Sequence, residues 1–268
     1  MRTFFGYLPD PKEHRYTGFH LHAAYRASLA DFGSIDHAAP PIWNQRSSNS
    51  CVGHGTAGAI TASYASKGIV LASPAAPRFL YMLARAVDRR PVEGVLPPLL
   101  DHGCEPNSLM RAIAEWGVPL ESEVDGGRSA TSPDYEDYLE THIDDEPSLD
   151  ELLKSDERLI VGFNAIETEG DDRVTAICRA ISDGYAVMAG VSAGNTSFQG
   201  YREGILDPSG TSPDHWVYFT AFRTVNGQKQ ILMRNSWGRG WGIDGTAWCS
   251  EDFIRHGLWN ILVANLGL

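Results

Sequence analysis

The 268-residue chain has no uninterrupted apolar run approaching the ~20 residues that cross a bilayer, so no helical membrane span is expected. Its start, Met1 to Asp10, lacks a basic region followed by a long apolar core. No secretory signal is therefore expected, which places the protein in the cytoplasm or among proteins exported without a conventional leader. Cations are scarce: 22 Lys and Arg stand against 34 Asp and Glu, a net charge of −12. Phosphate binding needs clustered Lys and Arg, so nucleic acid is not expected as a partner. Cysteines are also few, and the four (Cys51, Cys104, Cys178, Cys249) include no C-x-x-C pair, which removes zinc-site spacing. Without a leader the thiols are expected to stay reduced, three of them buried and inert. No internal repeat or low-complexity tract stands out.

What is present is a hydrophobic fraction of 43% and a charged fraction of 21%, the proportions of a soluble globular chain. The length suits one large domain or two lobes. Residues 1–40 form a mixed arm with Phe4, Phe5, Tyr7, Pro9 and Pro11, closed by Pro40-Pro41 and expected to pack as a structural strap. A helical lobe is expected over 41–122 and a strand-rich lobe over 123–268. Cys51 to Lys67 reads as a helix of small residues capped by Gly68, and small residues on most faces imply a central position. Further helices are expected at Arg78 to Arg90, Asn107 to Trp116 and Thr175 to Ser182. Strands are expected at Ala186 to Val191, Trp216 to Thr224, Lys229 to Arg234, Thr246 to Cys249 and Trp259 to Asn265. Asn226-Gly227 between two of them is a hairpin signal. Helices first and strands later indicate an α+β architecture. Between Asp134 and Glu157 eleven acidic residues accompany only Lys154, which reads as a solvated helix and loop face.

Three residues far apart in sequence carry the chemistry. Cys51 stands at the expected N-terminus of the small-residue helix, where the macrodipole and unpaired N–H groups favour thiolate. His215 opens an apolar strand and suits the base that takes the thiol proton and later delivers it to a leaving amine. Asn235 ends another strand, and its side-chain carbonyl can fix the imidazole tautomer without adding charge. Gln45, six residues ahead of Cys51, can place an amide where an oxyanion develops.

The run Gln45 to Cys51, the pair Asp214-His215 before an apolar strand, and Asn235-Ser236-Trp237-Gly238 with a second Trp-Gly at 241–242 resemble the papain-like cysteine peptidase family. Ser73 to Tyr81 and Phe198 to Ile205 fit the same pattern, and Gly6 to Asp10 looks like bacterial members that lack a long inhibitory prosegment. The resemblance implies a two-lobed fold, a helical lobe and an antiparallel β-barrel-like lobe with the cleft between. It implies hydrolysis of peptide bonds in protein or peptide substrates through an acyl-enzyme, by a monomer needing no cofactor or metal. It also implies Trp237 as a shield over the Asn235–His215 hydrogen bond.

Several positions depart from the pattern. Ser48 replaces a Cys that is commonly in a disulfide, Val52 replaces a Trp, and the Gly-Gly pair is missing near Cys104-Glu105-Pro106. Trp216 replaces a small residue on the wall of the specificity pocket, which implies a preference for Gly or Ala two positions before the scissile bond. His54 shares the helix face of Cys51 but reads as a structural residue near the cleft, and His102, His142 and His256 as surface residues. Cys104 lies in a loop flanked by Gly and Pro. Capture of the acyl-enzyme by an amine, or a non-catalytic binding module on the same fold, remain the alternatives.

Overall fold

A computed structural model describes residues 29–93, 95–155 and 160–266. Most of the arm expected over 1–40 lies outside the described residues. In chain order the elements are β1 (Phe32–Ser34), α1 (Cys51–Ser66), α2 (Pro77–Asp88), α3 (Pro106–Trp116), α4 (Tyr135–His142), α5 (Leu149–Ser155), β2 (Ile160–Ala165), α6 (Gly170–Ser182), β3 (Val187–Val191), α7 (Thr196–Gln199), β4 (Ile205–Leu206), β5 (His215–Val225), β6 (Gln228–Arg234), β7 (Thr246–Cys249), α8 (Glu251–His256) and β8 (Trp259–Leu266).

Local chemistry explains the main boundaries. Pro77 and Pro106 occupy the first position of α2 and α3, where the missing N–H costs nothing. Gly68 and Gly117, both at φ +75°, follow the ends of α1 and α3. Asn226 and Gly227, both at positive φ, turn β5 into β6 with Val225 opposite Gln228. The expected strands are all present, each end within one residue of its expected position. α6 begins five residues before the expected Thr175, because Gly170-Asp171-Asp172 form an acidic first turn.

Among the described residues eight strands form one sheet in the order β2-β8-β3-β5-β6-β7-β4, with β1 added to the far end of β5. The pairings are antiparallel except β4 with β7, and the path is open. The barrel-like closure implied by the resemblance is therefore corrected to an open mixed sheet.

β5 is the hinge of the packing. Trp216 and Tyr218 face a core shared with α1, while Val217, Phe219 and Phe222 enter a second core with α6 and α8. The small residues of α1 meet their neighbours at close range, as their number suggested. A side chain at Gly53 would strike the Pro77 carbonyl, one at Gly55 the Trp216 indole, and one at Gly58 the Tyr218 ring.

α4 and α5 fall inside the stretch expected to be strand-rich, yet they pack with the helices. Tyr135, Leu139 and Ile143 join the core of α1, and Leu152 packs against that of α2 beside Val124. The acidic stretch is not simply a solvated face. Buried Arg78, besides pairing with Asp125 upstream, reaches Asp145 at 3.6 Å; buried Arg85 pairs with Asp144, and Arg89 holds Glu146 with two bonds of 2.6 and 2.7 Å. These arginines share one side of α2 and tie the segment after α4 back onto it. No described helix is long and apolar enough to cross a membrane.

Candidate active site

Cys51 is the first residue of α1, preceded by a tight loop. Ser48 N–H and Oγ both donate to the Gln45 carbonyl, at 3.1 and 2.7 Å. Ser48 Oγ also lies 2.6 Å from Ser50 Oγ. Asp101 clamps the same loop: its carboxylate accepts the Asn49 N–H at 2.9 Å and the Tyr81 hydroxyl at 2.7 Å. Nothing in the sequence pointed to Asp101, because its partners lie 20 and 52 positions away.

The loop is stitched to the end of β6. Gln45 N–H donates to the Ser236 carbonyl at 2.8 Å, and Ser236 Oγ donates to Gln45 Oε1 at 2.6 Å. Gly238 N–H donates to the Trp43 carbonyl at 3.0 Å. Gln45 Nε2 donates one hydrogen to the Ser48 carbonyl at 2.8 Å, leaving its second N–H. Gln45 and Asn235, 190 positions apart, are thus joined through Ser236. The run Asn235-Ser236-Trp237-Gly238 signalled a site, but not that its Ser would hold the Gln.

His215 opens β5 opposite Val191. Asp214, just before it, accepts the N–H groups of Ala193 and Gly194 at 2.6 and 2.9 Å, which fixes the strand's start. His215 Nε2 and Asn235 Oδ1 are 2.7 Å apart. An amide oxygen only accepts, so Nε2 carries the hydrogen and Nδ1 the lone pair. Trp237 lies 4.6 Å from the imidazole, ring centre to ring centre, and Phe198 meets it edge-on at 6.2 Å. Trp241 stacks on Phe198 at 5.1 Å and donates its indole N–H to the Phe198 carbonyl. This aromatic housing includes two residues, Phe198 and Trp241, whose roles the sequence did not reveal. Burial is the main cause lowering the His215 pKa to about 4; Asn235 opposes that shift and His54 adds to it.

α1 and β5 run in the same sense, since Gly55 abuts Trp216 and Gly58 abuts Tyr218. One turn back from Gly55 is Cys51, and one residue back from Trp216 is His215. The two candidate groups therefore occupy adjoining ends of the helix and the strand. Cys51, His215 and Gln45 have no exposed surface, and Asn235 has 3%.

Trp216 was expected on the wall of a substrate pocket. Its indole is instead buried against α1 and donates to Thr56 Oγ1 at 3.2 Å, so in this structure it packs helix on sheet. His54 is buried near the site, with Nδ1 at 3.0 Å from the Ser50 carbonyl. His102 and His256 are exposed, and His142 stacks on Tyr138 at 4.1 Å. None of the four cysteines is in a disulfide and all are buried, Cys104 included. Burial pushes the Cys178 thiol up to about 12 and Cys249 well above the usual thiol range. No described group of His, Cys, Asp and Glu is placed to hold a metal ion.

A family model described as papain family cysteine protease matches residues 102–257, more than half of the chain. Cysteine proteinase COT44 of Brassica napus is 36% identical over 95 residues, 35% of this chain and 28% of that protein. Chymopapain of Carica papaya is 43% identical over 56 residues, 20% of this chain and 16% of that one. The chain thus matches less than a third of the length of either relative. In fold it is similar to xylellain, a cysteine protease from Xylella fastidiosa, with TM-score 0.73 and 18% identity over 98% of this chain and 96% of that one.

Proposed function

This chain belongs to the papain family of cysteine proteases, and from that premise we propose that it hydrolyses peptide bonds through Cys51, His215 and Asn235. The observation that carries the reading is the 2.7 Å contact of His215 Nε2 with Asn235 Oδ1 under Trp237, at the end of β5 that adjoins Cys51. Asn235 holds the tautomer whose Nδ1 is a proton acceptor. A ring with its pKa near 4 is neutral at pH 7, as a base must be before it acts.

Nδ1 of His215 takes the Cys51 proton, and the thiolate sulfur bonds to the substrate carbonyl carbon. The carbonyl electron pair moves to oxygen, where the Cys51 N–H and the second Nε2 hydrogen of Gln45 stabilise it. When that pair returns, the C–N bond breaks and the leaving amine takes the proton from His215. Water, deprotonated by the same ring, then releases the acid and restores the thiol. Trp237 and Phe198 keep water from the Asn235–His215 bond, where a low local dielectric strengthens it.

The full burial of Cys51 and His215 favours a second reading, a papain-fold binding module whose cleft is blocked. Digestion of unfolded casein under reducing conditions, followed by peptide mass spectrometry, separates the two. The peptidase reading expects cleavage by the wild type and none by Cys51→Ala. Equal cleavage by both proteins, or none by either, rejects it.

A further inference from the structure

Three buried polar atoms without a hydrogen-bonding partner in the protein belong to side chains around one cavity. They are Trp43 Nε1, His54 Nε2 and Asn235 Nδ2. Their residues are 4%, 1% and 3% exposed. All three side chains line the same cavity of about 10 Å³, which Gly55, Trp216 and Arg234 help to close. That is room for roughly one water molecule, and a polar lining with two to four partners is what a buried water requires. An apolar filling would leave three buried groups unpaired.

The chemistry of the three atoms is complementary around a single water. His54 Nδ1 lies 3.0 Å from both the Ser50 carbonyl and Ser50 Oγ. The Ser48 hydroxyl hydrogen goes to the Gln45 carbonyl, so the Ser50 hydroxyl donates to Ser48 Oγ and can only accept from Nδ1. Nδ1 therefore carries the hydrogen and Nε2 a lone pair. Trp43 Nε1 and Asn235 Nδ2 are donors. One water can accept from both and donate to His54. The neighbours keep His54 neutral. Burial lowers its pKa to about 4, with only the Ser50 carbonyl opposing. His215 on β5 and Arg234 on β6 add no negative charge, and Arg234 is already engaged by Asp36, the Pro40 carbonyl and the Tyr218 hydroxyl. From α4 Tyr135 presents only its ring, edge-on at 6.4 Å.

We propose that Trp43, His54 and Asn235 hold one buried water, and that through it His54 is a positioning residue for the Asn235 amide. The amide is then anchored on both sides. Its oxygen meets His215 Nε2 and the Ser236 N–H, and its NH2 meets the water. His54 thereby couples the helix that begins at Cys51 to the group that orients His215. The role in positioning rests on the peptidase reading, whereas the water itself does not.

The test uses the full chain, a crystal structure that resolves ordered water, and the pH profile of iodoacetamide alkylation at Cys51. The wild type is expected to show one water within hydrogen-bonding distance of all three atoms. His54→Phe removes the acceptor and fills the cavity. It is expected to lose the water, to slow alkylation at pH 6 by about tenfold, and to move the profile toward that of an ordinary thiol. His54→Gln restores an acceptor and is expected to recover to within about threefold of wild type. Trp43→Phe, which removes only the N–H, serves if His54→Phe does not fold, and is expected to slow alkylation in the same direction. No water in the wild type overturns the site. A water lost with rate and profile unchanged overturns the positioning role. If wild-type Cys51 reacts no faster than it does in His215→Ala, the peptidase reading has failed, and the water is still decided by the crystal structure.

Discussion

Gly53→Ala places one methyl group where the structure has no room for it. The added carbon would lie 2.3 Å from the Pro77 carbonyl oxygen and 2.8 Å from Tyr81 Cβ. The first is backbone at the start of α2, so no side-chain rotation relieves the contact. α1 and α2 must separate by roughly 1 Å, and overpacking of this kind costs about 1–3 kcal/mol. Alanine returns about 1 kcal/mol through its better helix propensity. With a backbone atom as the obstacle the upper end applies, and the net loss is about 2 kcal/mol. Cys51 lies two residues away, so its alkylation rate should fall as well. Gly68→Ala is the control: nothing lies within 4 Å, and φ of +75° makes its cost one of backbone strain alone, about 1 kcal/mol. Urea unfolding of the three proteins measures both terms. A Gly53→Ala protein as stable as wild type refutes the close approach of α1 and α2.

Acid should destabilise the fold well above the carboxylate range. His54 and His215 are both buried with pKa lowered to about 4, so the unfolded chain protonates first, and the stability they allow above pH 6.5 is lost between 6.5 and 4. Between pH 7 and 5.5 the two account for about 2–3 kcal/mol, read by urea unfolding at each pH; a flat profile contradicts their burial as neutral rings. Arg78→Met strands Asp125, which is 6% exposed, without its cation, and should cost about 3–5 kcal/mol. Adding Asp125→Leu should recover most of that loss in the same unfolding assay, and a double variant no better than the single one argues against the pair.

Local signals carried much of the fold. Gly68, Asn226-Gly227 and the small residues of Cys51 to Ser66 each encode their structure within a few positions, so their elements were legible. The short β1, β4 and β2 were not, because their pairing partners lie on β5, β7 and β8 and nothing in two to six residues announces them. The acidic stretch misled for a similar reason: Arg78, Arg85 and Arg89 lie on or at the end of a helix about sixty positions earlier, and only the fold makes them counterions of Asp145, Asp144 and Glu146. At the candidate site His215 and Asn235 stood out by context and are bonded to each other. Trp216 was drawn into a pocket by its neighbour in sequence, but strand alternation turns it toward α1. Asp101 and the convergence of Trp43 with His54 are products of tertiary contact alone.

The most direct test of Cys51 and His215 as a working pair is the pH dependence of iodoacetamide labelling, read by peptide mass spectrometry at all four cysteines. The account predicts modification of Cys51 alone, persisting well below the ~8.5 of an ordinary thiol, and slowed strongly in His215→Ala. Slow and uniform labelling, or protection of Cys51 until the chain is denatured, would contradict it.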